Sequence, residues 1–148
     1  MSKYNFEQKR NDYETPPELV KMALENFTYE YKFHLDVCCS RENIPADNYY
    51  KFGEKDGLKE DWSRLNWCNP PFNKCKEWIK KAYEEQQIGN KTIMLLPVRT
   101  ETKYWHEFIL YNINVQILWL RKGYRFINPD TEKPCGVFKN ALALVYFK

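Results

Sequence analysis

Asn69-Pro70-Pro71-Phe72 closes a short apolar run, LNWC at 65–68, and stands directly before a helix-like stretch. Proline has no backbone N–H, so a strand that reaches Asn69 must leave its sheet there. The two prolines fix the backbone, and the Asn69 side-chain oxygen and the Pro70 carbonyl can then converge on one point. Two acceptors at one point suit an amino group carrying two N–H bonds. Hydrogen bonding into them steers the nitrogen toward a pyramidal geometry and exposes its lone pair for attack. Phe72 offers a ring to lie flat against the ring that bears the amine. Together the four residues read as a clamp for an aromatic amine, with a plain Asn-Pro turn as the alternative.

Such a clamp needs a sheet to hold it. FHLDVCC (33–39) is a buried-strand pattern ending near Asp36, NYYKF (48–52) a short strand, and KTIMLLP (91–97) an apolar strand. VQILWL (115–120) and ALALVYF (141–147) are two more. Between them, 121–140 reads as a long loop rich in charge, Pro and Gly. TPPELVKMALENF (15–27) reads as a helix, with Thr15 as cap, Pro16 at the first helical position and Glu18 completing a capping box. Asn73 caps a second helix, in which Cys75, Trp78, Ile79, Ala82 and Tyr83 share one face and which Gly89 ends. TKYWHEFILY (102–111) predicts a third, with Trp105, Phe108 and Ile109 inward. Strands alternating with helices predict an α/β fold: a mostly parallel sheet covered on both faces, its last two strands antiparallel.

At 148 residues the chain fits one domain, with a polar, aperiodic arm at 1–13 and a single catalytic domain at 14–148. No separate target-recognition domain is expected. A net charge of +3 permits contact with a polyanion without demanding it. No run approaches a membrane span, and a cytoplasmic protein is expected. The five cysteines follow no zinc-like spacing, so free, mostly buried thiols and no metal are expected. His34 and His106 sit in no nucleophile or metal motif, and no Walker-type phosphate loop is present.

Asn-Pro-Pro-Phe resembles the [Asp/Asn/Ser]-Pro-Pro-[Tyr/Phe/Trp] motif of S-adenosylmethionine-dependent amino methyltransferases. The wider chain resembles the phage-encoded DNA N-6-adenine-methyltransferase (Dam-type) family. That similarity runs through Thr15-Pro16-Pro17, the Asp36 segment with Asn43, Asp56-Gly57-Leu58 with Trp62, and Trp67 to Phe72. It continues in LLPVRTETKYWH and the Gly136 stretch, covering most of residues 12–147. The resemblance implies a Rossmann-like methyltransferase fold, S-adenosylmethionine as cofactor, and DNA as partner with the target adenine flipped out. A phage origin, and so the bacterial host cytoplasm, is implied in the same way.

By the family pattern, Asn69, Pro70, Pro71 and Phe72 hold the target base, and Asp36 binds the methionine end of the cofactor. Thr15 and Pro16 match a segment that closes over that moiety. Where a glycine-rich turn is usual, this chain has Val37-Cys38-Cys39-Ser40, with the small Cys38 in its place. Asp47 is the candidate for the ribose hydroxyls, and Asp56 for the cofactor's adenine amine or for a plain Asp-Gly turn. In 121–126, Arg121, Lys122 and Arg125 interleave with Tyr124 and Phe126, a pattern of cations for phosphates and rings for stacking. A solvated loop with Phe126 tucked into the core is the alternative. Methylation of an RNA base or a glutamine amide, or a catalytically inactive nucleic-acid-binding protein on the same fold, are the competing functions.

Overall fold

The computed structural model describes residues 13–148; the rest of the expected arm lies outside the described residues. Four strands run parallel: β1 (Phe33–Cys39), β2 (Ala46–Lys51), β3 (Leu65–Cys68) and β4 (Lys91–Pro97). The sheet continues through β8 (Leu142–Phe147), antiparallel to both β4 and β5 (Val115–Trp119), in the order β2-β1-β3-β4-β8-β5. This is the expected α/β architecture, consistent with a Rossmann-like methyltransferase fold. Near-continuous burial of β1, β3, β4 and β8 explains why those strands read as apolar runs rather than alternating ones.

Each face carries its own core. Helix α1 (Pro17–Phe27) packs Leu19, Val20, Ala23 and Leu24 against Trp67, Ile93, Leu95 and Leu144. Opposite, α2 (Cys75–Gln87) sets Trp78, Ile79 and Ala82 against Leu35, Val37, Met94 and Val145. Gly89, at φ +94°, ends this helix as expected, and its N–H donates to the Gln86 carbonyl.

Three local expectations are corrected. Thr15 does not cap α1: the helix starts at Pro17 behind Pro16, with no side-chain cap. Nor does Asn73 cap α2, because Phe72–Lys74 forms a 3₁₀ turn first and Lys74 takes the cap position. The 102–111 helix is α-helical only at Lys103–Trp105 (α3), capped by Thr102, and widens into a π-turn over His106–Leu110. Trp105 and Ile109 still point inward.

The stretch 121–140 is a ribbon rather than a loop. β6 (Arg125–Ile127) pairs antiparallel with β7 (Pro134–Val137), and Glu14 bridges to Ile127 on the other edge. Tyr124, Phe126 and Phe138 face the sheet, while Arg125 faces solvent. The period of two was present in the sequence but masked by charges.

Cys38, Cys39, Cys68 and Cys75 are buried free thiols, and Cys135 on β7 is half-buried. Burial pushes Cys38 and Cys39 well up, raises Cys68, and takes Cys75 to about 12, so none is a ready thiolate near neutrality. Alkylation of the native protein at pH 8 is expected to label Cys135 first, with the other four reacting only on denaturation. Peptide mapping before and after urea reads this directly; early labelling of Cys38 or Cys39 would mean that the β1 end is open.

Candidate active site

In a parallel sheet, side chains at the carboxyl ends of strands are left without strand neighbours and face a shared crevice. Here the crevice is opened by β1 and β3. β1 pairs with β3 only as far as Asp36↔Trp67, and its register with β2 slips between Asp36 and Cys39. Asp36 therefore lies inside β1 rather than at its end, yet it marks where the sheet parts. The slip falls at Val37-Cys38, where the sequence has no glycine.

Two hollows with shared wall residues follow. One, of about 370 Å³, is lined by Val37, Cys38, Tyr50, Phe52, Asp56, Gly57 and Trp78. The other is a small recess lined by Thr15, Asp36, Ser40, Asn43 and Asn69, and it shares Cys38 and Phe52 with the first. Gly57 floors the larger hollow: a Cβ there would stand 2.1 Å from the Val37 carbonyl and 2.9 Å from the Trp78 ring. The Trp62 indole N–H donates to the Gly57 carbonyl at 2.7 Å and its ring stacks on Trp78, which ties the Asp56-Gly57-Leu58 turn to Trp62. Asp56 accepts from the Leu58 N–H at 3.0 Å, so it caps its own turn while lining the hollow.

Asp36 is 2% exposed, and among the described residues its carboxyl receives one hydrogen bond, from the Cys38 N–H at 3.3 Å. Burial raises its pKa well above the ordinary carboxylate value. A buried carboxyl so poorly partnered favours a cationic ligand group.

Asn69 is held by the segment that precedes α1. Its Nδ2 donates to the Tyr13 carbonyl at 3.1 Å and to Thr15 Oγ1 at 3.0 Å. The Asn69 carbonyl accepts from the Cys38 thiol at 3.3 Å. With both amide hydrogens used, Oδ1 is left as an acceptor, and neither it nor the Pro70 carbonyl receives a donor from the described residues. Phe72 is half-buried; Phe126 and Phe138 meet its ring edge-on at 5.9 and 5.5 Å. Arg99, at the exit of β4, donates to the Phe72 carbonyl at 2.7 Å and ties the turn to the next strand.

The expected residues divide. Thr15, Asp36, Cys38, Asn69 and Asp56 border the two hollows, and Pro70, Pro71 and Phe72 continue from Asn69. Asp47 stands at the amino end of β2, exposed and ion-paired with Lys32 at 2.6 Å, so the fold does not bring it to the crevice. Tyr124 and Phe126 are 6% and 1% exposed: the rings turn into the core and only Arg121, Lys122 and Arg125 face solvent. Phe126 thus buttresses Phe72 instead of presenting a face. Pro16 is buried at the start of α1.

Sequence reasoning missed Tyr13, Glu14, Arg41, Phe52 and Arg99. Arg99 lay in a quoted segment, but nothing local marked Glu14 or Arg41 as partners across 27 positions. Among the described residues, no group of three His, Cys, Asp or Glu side chains could hold a metal ion.

Comparison with known proteins bears on this geometry. The family described as DNA N-6-adenine-methyltransferase (Dam) matches residues 3–148. A DNA N-6-adenine-methyltransferase of Haemophilus phage HP1 is 28% identical over 150 residues, spanning 100% of this chain and 85% of that protein. Another of that description, from Escherichia phage T1, is 33% identical over 78 residues, 51% of this chain and 32% of its own length.

Proposed function

The chain belongs to the DNA N-6-adenine-methyltransferase family, and on that premise we propose that it methylates adenine in DNA at the crevice between β1 and β3, using S-adenosylmethionine. The observation that carries the assignment of residues is the Asn69 amide, its nitrogen held from behind and its oxygen left as acceptor at a strand end. The cofactor, when bound, supplies an electrophilic methyl group on a sulfonium. A buried carboxyl beside a larger, mostly apolar hollow fits a ligand with a cationic amino-acid end and a flat ring end. Asp36 is assigned to the first and Asp56, with Trp78 and Phe52, to the second.

Asn69 Oδ1 and the Pro70 carbonyl accept the two N–H bonds of the adenine amine, and Phe72 packs against the extruded ring. Extrusion costs a few kcal/mol, which the clamp and phosphate contacts offset. No base of matched pKa is needed, because the held amine would gain the methyl group as the C–S bond breaks to leave a neutral thioether, and would give its proton to water afterwards. Catalysis rests on orientation and electrostatics. Transfer of labelled methyl to DNA, RNA and protein in parallel tests the reading: labelled N-6-methyladenine in DNA supports it, and label only in RNA or protein replaces it.

Recognition is expected to be short or relaxed. Among the exposed side chains of the ribbon at 125–137, only Arg125 and Lys133 are cationic, beside Asp130 and Glu132 of opposite charge, and one bidentate contact discriminates by about 1–3 kcal/mol per base pair. Sequencing of treated DNA is expected to show methylated adenines in many contexts. Affinity is expected to fall with salt at a log–log slope of about −0.9 per phosphate neutralised. A single motif of five or more fixed positions, read by a monomer, would contradict this.

A further inference from the structure

The residues that hold the Asn69 amide lie 54 and 56 positions away, on one short extended segment. A primary amide has two N–H bonds, and Tyr13 O and Thr15 Oγ1 take both. Thr15 is 3% exposed, so no solvent competes for its oxygen, and it caps no helix. Between them, Glu14 fixes the segment twice over. Its backbone exchanges hydrogen bonds with Ile127 of β6 at 2.8 and 2.9 Å. Its carboxylate, 5% exposed, accepts from Arg41 Nε at 2.5 Å and Nη2 at 2.8 Å. Arg41 Nη1 also reaches Glu132 on the β6–β7 turn, at 3.3 Å.

We propose that Tyr13 to Thr15 is a positioning element for methyl transfer: Thr15 Oγ1 and the Tyr13 carbonyl orient the Asn69 amide, and the clamp is therefore built for an amide rather than a carboxylate. This rests on Asn69 being the acceptor for the base amine. An aspartate at 69 would set a carboxylate oxygen against the Tyr13 carbonyl, two acceptors without a proton between them. It would act as Asn69 does only while that oxygen is protonated. The charged or titratable residues that line the recess with Asn69 are Asp36, Cys38 and Cys39 on β1, Tyr13, and Glu14, which is paired with Arg41. None supplies that proton to the Tyr13 side.

The experiment is steady-state methyl transfer to DNA at saturating cofactor, with calorimetric cofactor affinity and thermal unfolding for each variant. Thr15→Val is expected to lower kcat about tenfold, as one orienting hydrogen bond is lost. Cofactor affinity stays near wild type, and Thr15→Ser restores kcat. Asn69→Asp, which leaves the segment untouched, is expected to show a kcat that falls as pH rises while the wild-type kcat stays flat. Wild-type kcat in folded Thr15→Val overturns the proposal. So does a tenfold loss of cofactor affinity with kcat unchanged, which makes Thr15 a cofactor contact. If Thr15→Val does not fold, a flat Asn69→Asp profile at wild-type rate is decisive against it. A wild-type protein that methylates no DNA overturns the underlying reading instead.

Discussion

Asn69→Ala is expected to lower the rate of methyl transfer to DNA by about 10²–10³-fold, the range seen when one preorganised group at a reacting atom is removed. The substitution deletes the acceptor for the adenine amine and leaves Tyr13 O and Thr15 Oγ1 without their donor. Cofactor affinity should change little, because Asp36 and the larger hollow remain. Asn69 is half-buried and its backbone carbonyl still accepts from Cys38, so the fold should survive. Each acceptor left without the Asn69 donor costs about 1–3 kcal/mol of stability where water does not reach it. Single-turnover transfer with labelled cofactor, beside calorimetry, separates the two effects. Transfer at the wild-type rate would sink the clamp assignment.

Asp36→Asn carries effects of opposite sign on binding and stability. The cofactor's cationic end loses its carboxylate partner, and affinity should weaken by about 10- to 100-fold, the worth of one charged hydrogen bond. Stability should rise. Burial lifts the native pKa above the ordinary value of 3.8, so the folded state binds more protons than the unfolded one between those values. Wild-type stability therefore falls as pH climbs through that window. An asparagine has no such loss, so the variant is expected to melt higher near neutrality and to match the wild type below about pH 3.8. Binding to the wild type should also release a proton and tighten with rising pH, because the bound form needs the carboxylate charged. Unchanged affinity in a folded Asp36→Asn protein would remove Asp36 from the site.

Much of the fold was legible because it is local. FHLDVCC, LNWC and KTIMLLP are apolar runs that a doubly covered parallel sheet demands, and the structure begins and ends them at 33–39, 65–68 and 91–97. Asn69 to Phe72 was legible for the same reason: two prolines must end a strand wherever they occur, and the end of a parallel strand is where a crevice lies. Caps were less legible. Thr15 and Asn73 satisfy every sequence rule for capping, yet the helices begin two residues after each, because Thr15 is committed to a partner the local sequence does not contain.

The residues around the clamp were decided by tertiary structure alone. Tyr124 and Phe126 read as stacking rings beside cations, but the sheet face had room for them, and burying two rings outweighs exposing them to a transient base. Asp47 looked like a ribose ligand until strand direction set it at the amino end of β2, beside Lys32. Chain order says which residues can form a strand; it does not say which end of the sheet a carboxylate will reach. The Glu14–Arg41 pair and the Tyr13–Asn69–Thr15 bonds join positions 27 to 56 residues apart. Such contacts leave no periodicity behind, since their energy depends on distances that exist only once the sheet has closed.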